Sequence, residues 1–304
     1  MPERSRREFA ARLAALGAAG LLAPIARAED AAAQVLARPI PRTGEPLPAV
    51  GLGTSRVFDV GGDAAARAVR AEVLRGLLAG GGTVIDTATS YGSAEEVVGD
   101  LLAQAGIRKR VFISTKLEAP DAGELRGSLE RLRTPRVDVL HLHNVSNPGQ
   151  DLGAFRARKA EGKCRYTGIT TTFRGDYAAV EAVLAREKPD FLEVDYSLDD
   201  RGAEARLLPL AAQTGAAVLV ALPFGRGRLF RAVRGRTPPD WARAFGAASW
   251  AQFFLKFILA HEAVTAAIPG TADPAHMADN LGALRGRLPT AAERARMVEF
   301  VASL

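Results

Sequence analysis

The chain has 304 residues, 48% of them hydrophobic, and a formal net charge of +6 at pH 7. This length and composition predict a globular protein with one large domain or two ordinary ones, and the small, scattered cation surplus argues against a nucleic-acid-binding surface. The single cysteine, Cys164, excludes an internal disulfide and a multi-cysteine metal site, so we expect no bound metal.

The first 28 residues resemble an export signal. Paired Arg6 and Arg7 with Phe9 resemble a twin-arginine signal, and an apolar stretch rich in Ala and Leu follows them and ends at Ala28. We therefore expect the twin-arginine export machinery as a partner, a mature chain without a membrane span, and a periplasmic or exported location. An amphipathic N-terminal helix is the alternative, and a non-functional signal would leave the protein in the cytoplasm.

From residue 45 onward, short apolar runs alternate with amphipathic, helix-like stretches. In a single domain, residues 29–304, this alternation predicts an α/β fold, the (β/α)8 TIM barrel. A doubly wound sheet is less favoured, because "GLGTSR" lacks the third glycine of the dinucleotide-binding fingerprint. The predicted strands are "AVGLGT", "TVIDTA", "VFISTK", "VDVLHLH", "YTGIT", "FLEVDY", "AVLVALP" and "TAAIPG"; helices include "AAARAVRAEVLRGLLAG", "SAEEVVGDLLAQAG", "GELRGSLERLR", "YAAVEAVLAREK" and "SWAQFFLKFILA".

Three neighbouring strands place reactive side chains at one end of the predicted barrel. Alternate strand residues face the barrel interior, and the C-terminal strand ends form the active sites of such barrels. This alternation turns Asp86, Lys116 and His143 inward, and Lys116 gives Asp86 the partner that a buried carboxylate needs. Tyr91, in the turn after the second strand, can lean over the same patch.

These four residues suggest proton delivery to a carbonyl oxygen. A free tyrosine has a pKa near 10, and we expect the neighbouring lysine ammonium to lower the pKa of Tyr91. Asp86 would hold Lys116 in its charged form, and Tyr91 would act as a general acid while a hydride arrives at the carbonyl carbon. A neutral His143 could donate a second hydrogen bond to the same oxygen.

The segments "VIDTATSYGSAEEVVGDLL", "VFISTK", "VDVLHLHN" and "AAIPGTADPAHMADNLGAL" resemble the aldo-keto reductase superfamily, from about Val50 to about Leu284. The resemblance implies a TIM barrel that reduces aldehydes and ketones with NADPH, less often NADH. It assigns the family's catalytic tetrad to Asp86, Tyr91, Lys116 and His143. The implied partner is a small carbonyl or alcohol substrate, and we expect the chain to act as a monomer.

The resemblance also implies a nicotinamide nucleotide site, with departures from the family's pattern. Two threonines replace the usual Ser-Asn, Glu193 replaces glutamine, and Leu222 stands where many members stack an aromatic ring. Cations that often grip a 2′-phosphate are missing, so NADPH and NADH both stay open. The implied cofactor-binding residues are Thr170, Thr171, Glu193, Phe224, Gly225, Arg226, Gly227, Thr271, His276 and Asn280.

The substrate pocket is predicted to be open, because the loop after the fourth strand and the C-terminal segment are both short. Phe58, Leu117 and Asn144 are its predicted lining, with Phe224 beside them. Two other functions stay open at the level of sequence. One is a nucleotide-binding barrel that acts as a redox sensor or interaction module with little turnover; the other is an aldolase in which Lys116 forms a Schiff base.

Overall fold

The computed structural model describes residues 35–304 and contains a barrel of parallel strands. The predicted signal segment lies outside the described residues. Each barrel strand is hydrogen-bonded to the next one in chain order, and each overlaps one of the eight predicted runs. The strands are β1 (Ala37–Pro39) and β2 (Pro46–Pro48), which form a hairpin, and the barrel strands β3 (Leu52–Gly53), β4 (Val84–Asp86), β5 (Phe112–Leu117), β6 (Val137–Leu142), β7 (Cys164–Thr171), β8 (Phe191–Asp195), β9 (Ala217–Ala221) and β10 (Val264–Ala267).

The first and last barrel strands meet and close the ring. The main-chain N–H of Gly51 donates to the carbonyl of Ala267 at 2.8 Å, and Gly53 pairs with Gly270 in parallel fashion. A doubly wound sheet would leave both of these strands as open edges. The closure therefore confirms the predicted (β/α)8 barrel.

Helices alternate with the barrel strands and cover them on the outside. The five predicted helices are present, and side chains cap several helix N-termini; Asp63, for example, accepts from the N–H of Ala66 at 2.9 Å. No described helix is long and apolar enough to cross a membrane. The helices are α1 (Ala64–Ala79), α2 (Ala94–Gln104), α3 (Ala122–Arg131), α4 (Gly153–Ala160), α5 (Tyr177–Glu187), α6 (Leu207–Thr214), α7 (Arg228–Ala232), α8 (Trp250–Leu259), α9 (Pro274–Leu281) and α10 (Ala291–Ala302).

The β1–β2 hairpin closes the barrel at the N-terminal ends of its strands. Ile40 and Leu47 are buried in one apolar cluster with Val84, Phe112 and Tyr166, which lie near the beginnings of their strands. The hairpin therefore fills the end of the barrel interior where the strands begin. It was not among the predicted strands.

Candidate active site

The parallel register of β4, β5 and β6 brings buried polar side chains together inside the barrel. Asp86 pairs with Ser114 in register, and Lys116 pairs with His141. The hydroxyl of Ser114 donates to Oδ1 of Asp86 at 2.8 Å and lies 3.0 Å from Nε2 of His141. Strand alternation therefore gives the inward orientation predicted for Asp86 and Lys116.

The ammonium of Lys116 is fully buried among acceptors. Its Nζ lies 2.5 Å from Oδ2 of Asp86, 3.0 Å from the carbonyl of Thr87 and 3.2 Å from Oε2 of Glu193. Burial alone would lower the pKa of Lys116, but the two carboxylates outweigh burial and raise it. Lys116 therefore stays charged, with two hydrogen-bond acceptors and the oxygen of Glu193 close to its ammonium.

Tyr91 lies over this ammonium, in the turn that follows β4. Nζ of Lys116 is 5.3 Å from the centroid of the Tyr91 ring, and the ring of His143 meets it edge-on at 6.0 Å between centroids. Burial raises the pKa of Tyr91 to about 12, and the opposing effect of Lys116 is smaller. The pKa shift expected from the sequence therefore has the wrong sign, because the desolvation of Tyr91 outweighs its attraction to Lys116.

His143 follows β6 and joins the same group. Its ring is mostly buried, and Nδ1 lies 2.5 Å from Oε1 of Glu118, the residue that follows β5. Burial lowers the pKa of His143, Lys116 lowers it further, and Glu118 opposes both. Glu118 was not among the predicted site residues, because its place beside His143 depends on the register between β5 and β6.

Glu193 on β8 is a second carboxylate against Lys116. Its side chain is buried, and Oε2 makes no hydrogen bond although it lies 3.2 Å from Nζ. Burial and the charge of Asp86 raise the pKa of Glu193 to about 8, against the opposing effect of Lys116. The neutral form of Glu193, which this shift favours, can donate as well as accept a hydrogen bond.

A cavity of about 190 Å³ opens at the C-terminal ends of β7, β8 and β9. Gly225 stands here with φ of +55°, and a Cβ at this position would come within 2.7 Å of Oδ1 of Asp199. Arg226 is exposed at the cavity and has no hydrogen-bond or ion-pair partner among the described residues. The cavity is lined by Thr172, Arg174, Asp195, Tyr196, Ser197, Asp200, Leu222, Gly225, Arg226 and Arg228.

Comparison with known proteins agrees with this geometry. Residues 49–299 match the aldo/keto reductase family. The chain belongs to this family. The reductase is 32% identical over 257 residues to methylglyoxal reductase YeaE of Escherichia coli (strain K12), which covers 81% of this chain and 88% of that protein. It is an NAD(P)H-dependent aldo-keto reductase.

Solved structures of relatives have the same fold. An aldo-keto reductase from Klebsiella pneumoniae, solved in complex with NADPH, is 29% identical, with a TM-score of 0.70 over 85% of this chain and 92% of that one. The holo form of an aldo-keto reductase from Bacillus halodurans is 23% identical and gives the same TM-score over 88% of this chain and 96% of that one. The second likeness concerns the fold alone.

The two threonines predicted to hold the nicotinamide differ in their surroundings. Thr170 pairs with Glu193 in register, and its hydroxyl accepts from the N–H of Asn144 at 2.9 Å. The hydroxyl of Thr171 instead accepts from the N–H of Phe173 at 3.1 Å. Thr170 and Asn144 therefore lie together near Glu193. The hydroxyl of Thr171, in contrast, already accepts a hydrogen bond from the turn after β7.

Phe224 and Leu222, which both follow β9, have different surroundings. The ring of Phe224 packs against Phe230 at 4.8 Å and against Phe254 of α8 at 6.5 Å between centroids. Leu222 lines the cavity instead. In the reductase, an aliphatic side chain therefore stands at the cavity, and the nearby aromatic ring packs on the helix layer.

Two of the predicted pocket residues are packed inside the protein. Leu117 is the last residue of β5, and its side chain lies near Leu140 of β6 and Phe155 of α4. It faces the helices because the alternation that turns Lys116 inward turns the next residue outward. Phe58 is fully buried. Leu117 and Phe58 therefore lie away from solvent, whereas Asn144 is half-buried in the segment after β6.

The residues expected to hold the adenosine end lie at α9. Thr271 and Asn280 are buried, and His276 is exposed with its imidazole 3.9 Å from Oδ2 of Asp273. Asp273 caps the helix by accepting from the N–H of Ala275 at 2.7 Å. A carboxylate and an imidazole therefore stand at the start of α9, the segment that the resemblance assigns to the adenosine end.

Proposed function

We propose that the reductase converts small aldehydes and ketones to alcohols with NADPH, and that α-ketoaldehydes such as methylglyoxal are among its substrates. The observation that carries the proposal is the cluster of Tyr91, His143, Lys116 and Asp86 at the C-terminal end of the barrel. The likeness to a methylglyoxal reductase supports the substrate class.

Tyr91 is the proposed proton donor. With a pKa of about 12, the phenol stays protonated at neutral pH, and it is still far more acidic than the alcohol that forms. Lys116 carries a fixed positive charge that favours the phenolate left behind. NADPH, when bound, supplies the hydride that reaches the carbonyl carbon.

The charge of Lys116 also argues against the Schiff-base alternative. An amine must lose its proton before it attacks a carbonyl carbon. In this protein Asp86 and Glu193 raise the pKa of Lys116, and its ammonium donates to Asp86 and to the carbonyl of Thr87. We therefore propose a charge-stabilising role for this residue.

The residues present fit a nicotinamide nucleotide. Arg226 offers an unpaired cation at the cavity for a pyrophosphate, and the missing Cβ of Gly225 lets the main chain approach a ligand closely. Thr170 and Glu193 are the nearest donors and acceptors for the carboxamide. Leu222 would face the nicotinamide ring from the side of β9.

A substrate screen tests the proposal. Wild-type protein is mixed with NADPH or NADH and a panel of aldehydes, ketones and α-ketoaldehydes, and the loss of reduced-cofactor absorbance is followed. We expect turnover with the α-ketoaldehydes. Saturable nucleotide binding without oxidation by any substrate would contradict the reductase and favour the sensor.

The adenosine site predicts weak discrimination between the two cofactors. Since an imidazole and a carboxylate, and not a pair of cations, stand at the start of α9, we expect the Kd values for NADPH and NADH to differ by less than about tenfold. Fluorescence titration of both nucleotides measures them. A difference of more than about a hundredfold would point to a 2′-phosphate contact elsewhere.

We also propose that the N-terminal segment directs export by the twin-arginine route. The pair of arginines followed by an apolar stretch supports this location. The double variant Arg6→Lys, Arg7→Lys should hold the protein in the cytoplasm, whereas the wild type should be recovered from the periplasm in processed form. An equal distribution of the two proteins between the fractions would count against export.

A further inference from the structure

The main chain holds Glu118 and His143 side by side at the mouth of the barrel. Glu118 follows β5 and His143 follows β6, and the register pairs Leu117 with Leu142. The N–H of His143 donates to the carbonyl of Leu117 at 2.9 Å. The main-chain pairing of β5 and β6 thus places the side chains of Glu118 and His143 next to each other.

Glu118 is an ionised acceptor. Its main-chain N–H donates to Glu124 at 3.0 Å, and its carboxylate accepts from the hydroxyl of Ser90 and from Nδ1 of His143. Burial would raise the pKa of Glu118, but these hydrogen bonds outweigh burial and lower it. A carboxylate at neutral pH has no proton to donate.

We propose that Glu118 is a positioning residue that fixes the proton of neutral His143 on Nδ1 and leaves Nε2 as an acceptor. The bond of 2.5 Å between Nδ1 and Oε1 needs a proton, and the imidazole must supply it. Neutral His143 therefore accepts from a hydroxyl at Nε2, as an alcohol or a hydrated aldehyde would offer. Only the imidazolium donates from Nε2 to a carbonyl oxygen.

This inference rests on the proposed function in one respect: the substrate oxygen must approach His143. Carbonyl reduction then gains its second hydrogen-bond donor only when His143 is protonated. For reduction, kcat/KM should rise as the pH falls through the pKa of His143. Glu118 sets how high that pH lies, because its charge stabilises the imidazolium.

Charged groups on each neighbouring element act on this imidazole. Burial lowers the pKa of His143 and Lys116 lowers it further, whereas Glu118 and Asp86 raise it. Removal of Glu118 therefore lowers this pKa. The titratable groups around His143 are Asp86 on β4, Tyr91 after β4, Lys116 on β5, Glu118 after β5 and His141 on its own strand.

The test is NMR of the full chain with ¹⁵N-labelled histidine. The chain has four histidines, so the signals of His143 are assigned by their loss in His143→Asn. Imidazole ¹⁵N shifts distinguish a proton on Nδ1 from one on Nε2 and give the pKa of the ring. In wild type we expect the Nδ1 proton in the neutral ring.

Two substitutions separate the hydrogen bond from the charge. In Glu118→Ala, the proton of neutral His143 should no longer be fixed on Nδ1, and the pKa of His143 should fall by about 0.5 to 1. Glu118→Gln should keep the proton on Nδ1, because its amide oxygen can accept, but should lower the pKa similarly. For both variants, the pH limb of kcat/KM for methylglyoxal reduction should move with the NMR pKa.

Glu130→Gln is the matched control, since this exposed carboxylate on α3 makes no contact with His143. It should change neither the tautomer nor the pKa. A wild-type neutral His143 with its proton on Nε2, or an unchanged pKa in both Glu118 variants, would overturn the inference. If wild type shows no reduction, the proposed function fails, while the NMR still decides the tautomer.

Discussion

Glu193, which departs from the glutamine of the family resemblance, is a buried carboxylate beside another carboxylate. It shares the buried ammonium of Lys116 with Asp86, at 3.2 and 2.5 Å, respectively. Two ionised carboxylates and one ammonium would leave an uncompensated buried negative charge. The protein relieves this by raising the pKa of Glu193 to about 8.

Glu193 makes stability depend on pH in a definite direction. Its ordinary pKa is 4.5, and its folded pKa is about 8. Between these values the unfolded chain binds fewer protons than the native one, so stability falls as pH rises. Glu193→Gln cannot ionise; its free energy of unfolding relative to wild type should increase between pH 5 and pH 8 by at least about 1 kcal/mol.

Urea unfolding of both proteins at several pH values measures this difference. Other titrating groups cancel in the comparison, because both proteins contain them. A difference that is the same at pH 5 and pH 8 would show that Glu193 is ionised throughout this range in the folded protein.

Sequence reasoning predicted that Asp86, Tyr91, Lys116 and His143 lie together, but it did not predict the electrostatics of the group. Asp86, Lys116 and His143 follow from strand alternation, which depends on local sequence only. The sign of the pKa shift of Tyr91 depends on how deeply the folded barrel buries it. Glu118 could not be ranked above other loop carboxylates, because its role depends on the register between β5 and β6.

At the scale of elements, a glycine makes room for the buried imidazole between β6 and β7. Gly168 pairs with His141 in register, and a Cβ at Gly168 would come within 2.2 Å of Nδ1 of that ring. His141 is fully buried, and burial holds its pKa well below the ordinary value. The strand therefore has little freedom to accept a larger residue.

Gly168→Ala should be destabilising by about 1 to 3 kcal/mol, because the added methyl group overpacks the barrel interior. Gly76→Ala is the control: it lies in α1 with no atom within 4 Å of the added Cβ, and it should be stabilising by about 0.5 to 1 kcal/mol. Thermal or urea unfolding compares them. Equal stability of the two variants would contradict the packing at His141.

The eight barrel strands and the five quoted helices were predictable because their hydrophobic periods are regular over whole elements. The β1–β2 hairpin escaped prediction, because both of its strands contain proline, which is unusual inside strands. Its place in the fold comes from tertiary packing, which no local pattern encodes.

For the whole molecule, stability and binding are located at opposite ends of the barrel. The hairpin fills the end where the strands begin, whereas the cavity lies where they end. Leu47→Ala should remove about 2 to 5 kcal/mol of stability by opening a cavity among buried residues. Its Kd for NADPH should equal that of wild type.

Val69→Ala is the control for this variant, because Val69 on α1 is 40% exposed. Urea unfolding and fluorescence titration measure the two properties separately. A Leu47→Ala protein that is folded but binds NADPH more weakly would mean that the two ends are coupled.

Single-turnover hydride transfer in Tyr91→Phe tests the central claim most directly. Tyr166→Phe is the control, since its hydroxyl bonds to Glu45 at the other end of the barrel. With methylglyoxal and saturating NADPH, Tyr91→Phe should lose about 10² to 10⁴ in rate while its Kd for NADPH stays unchanged. A rate equal to that of Tyr166→Phe would contradict Tyr91 as the proton donor.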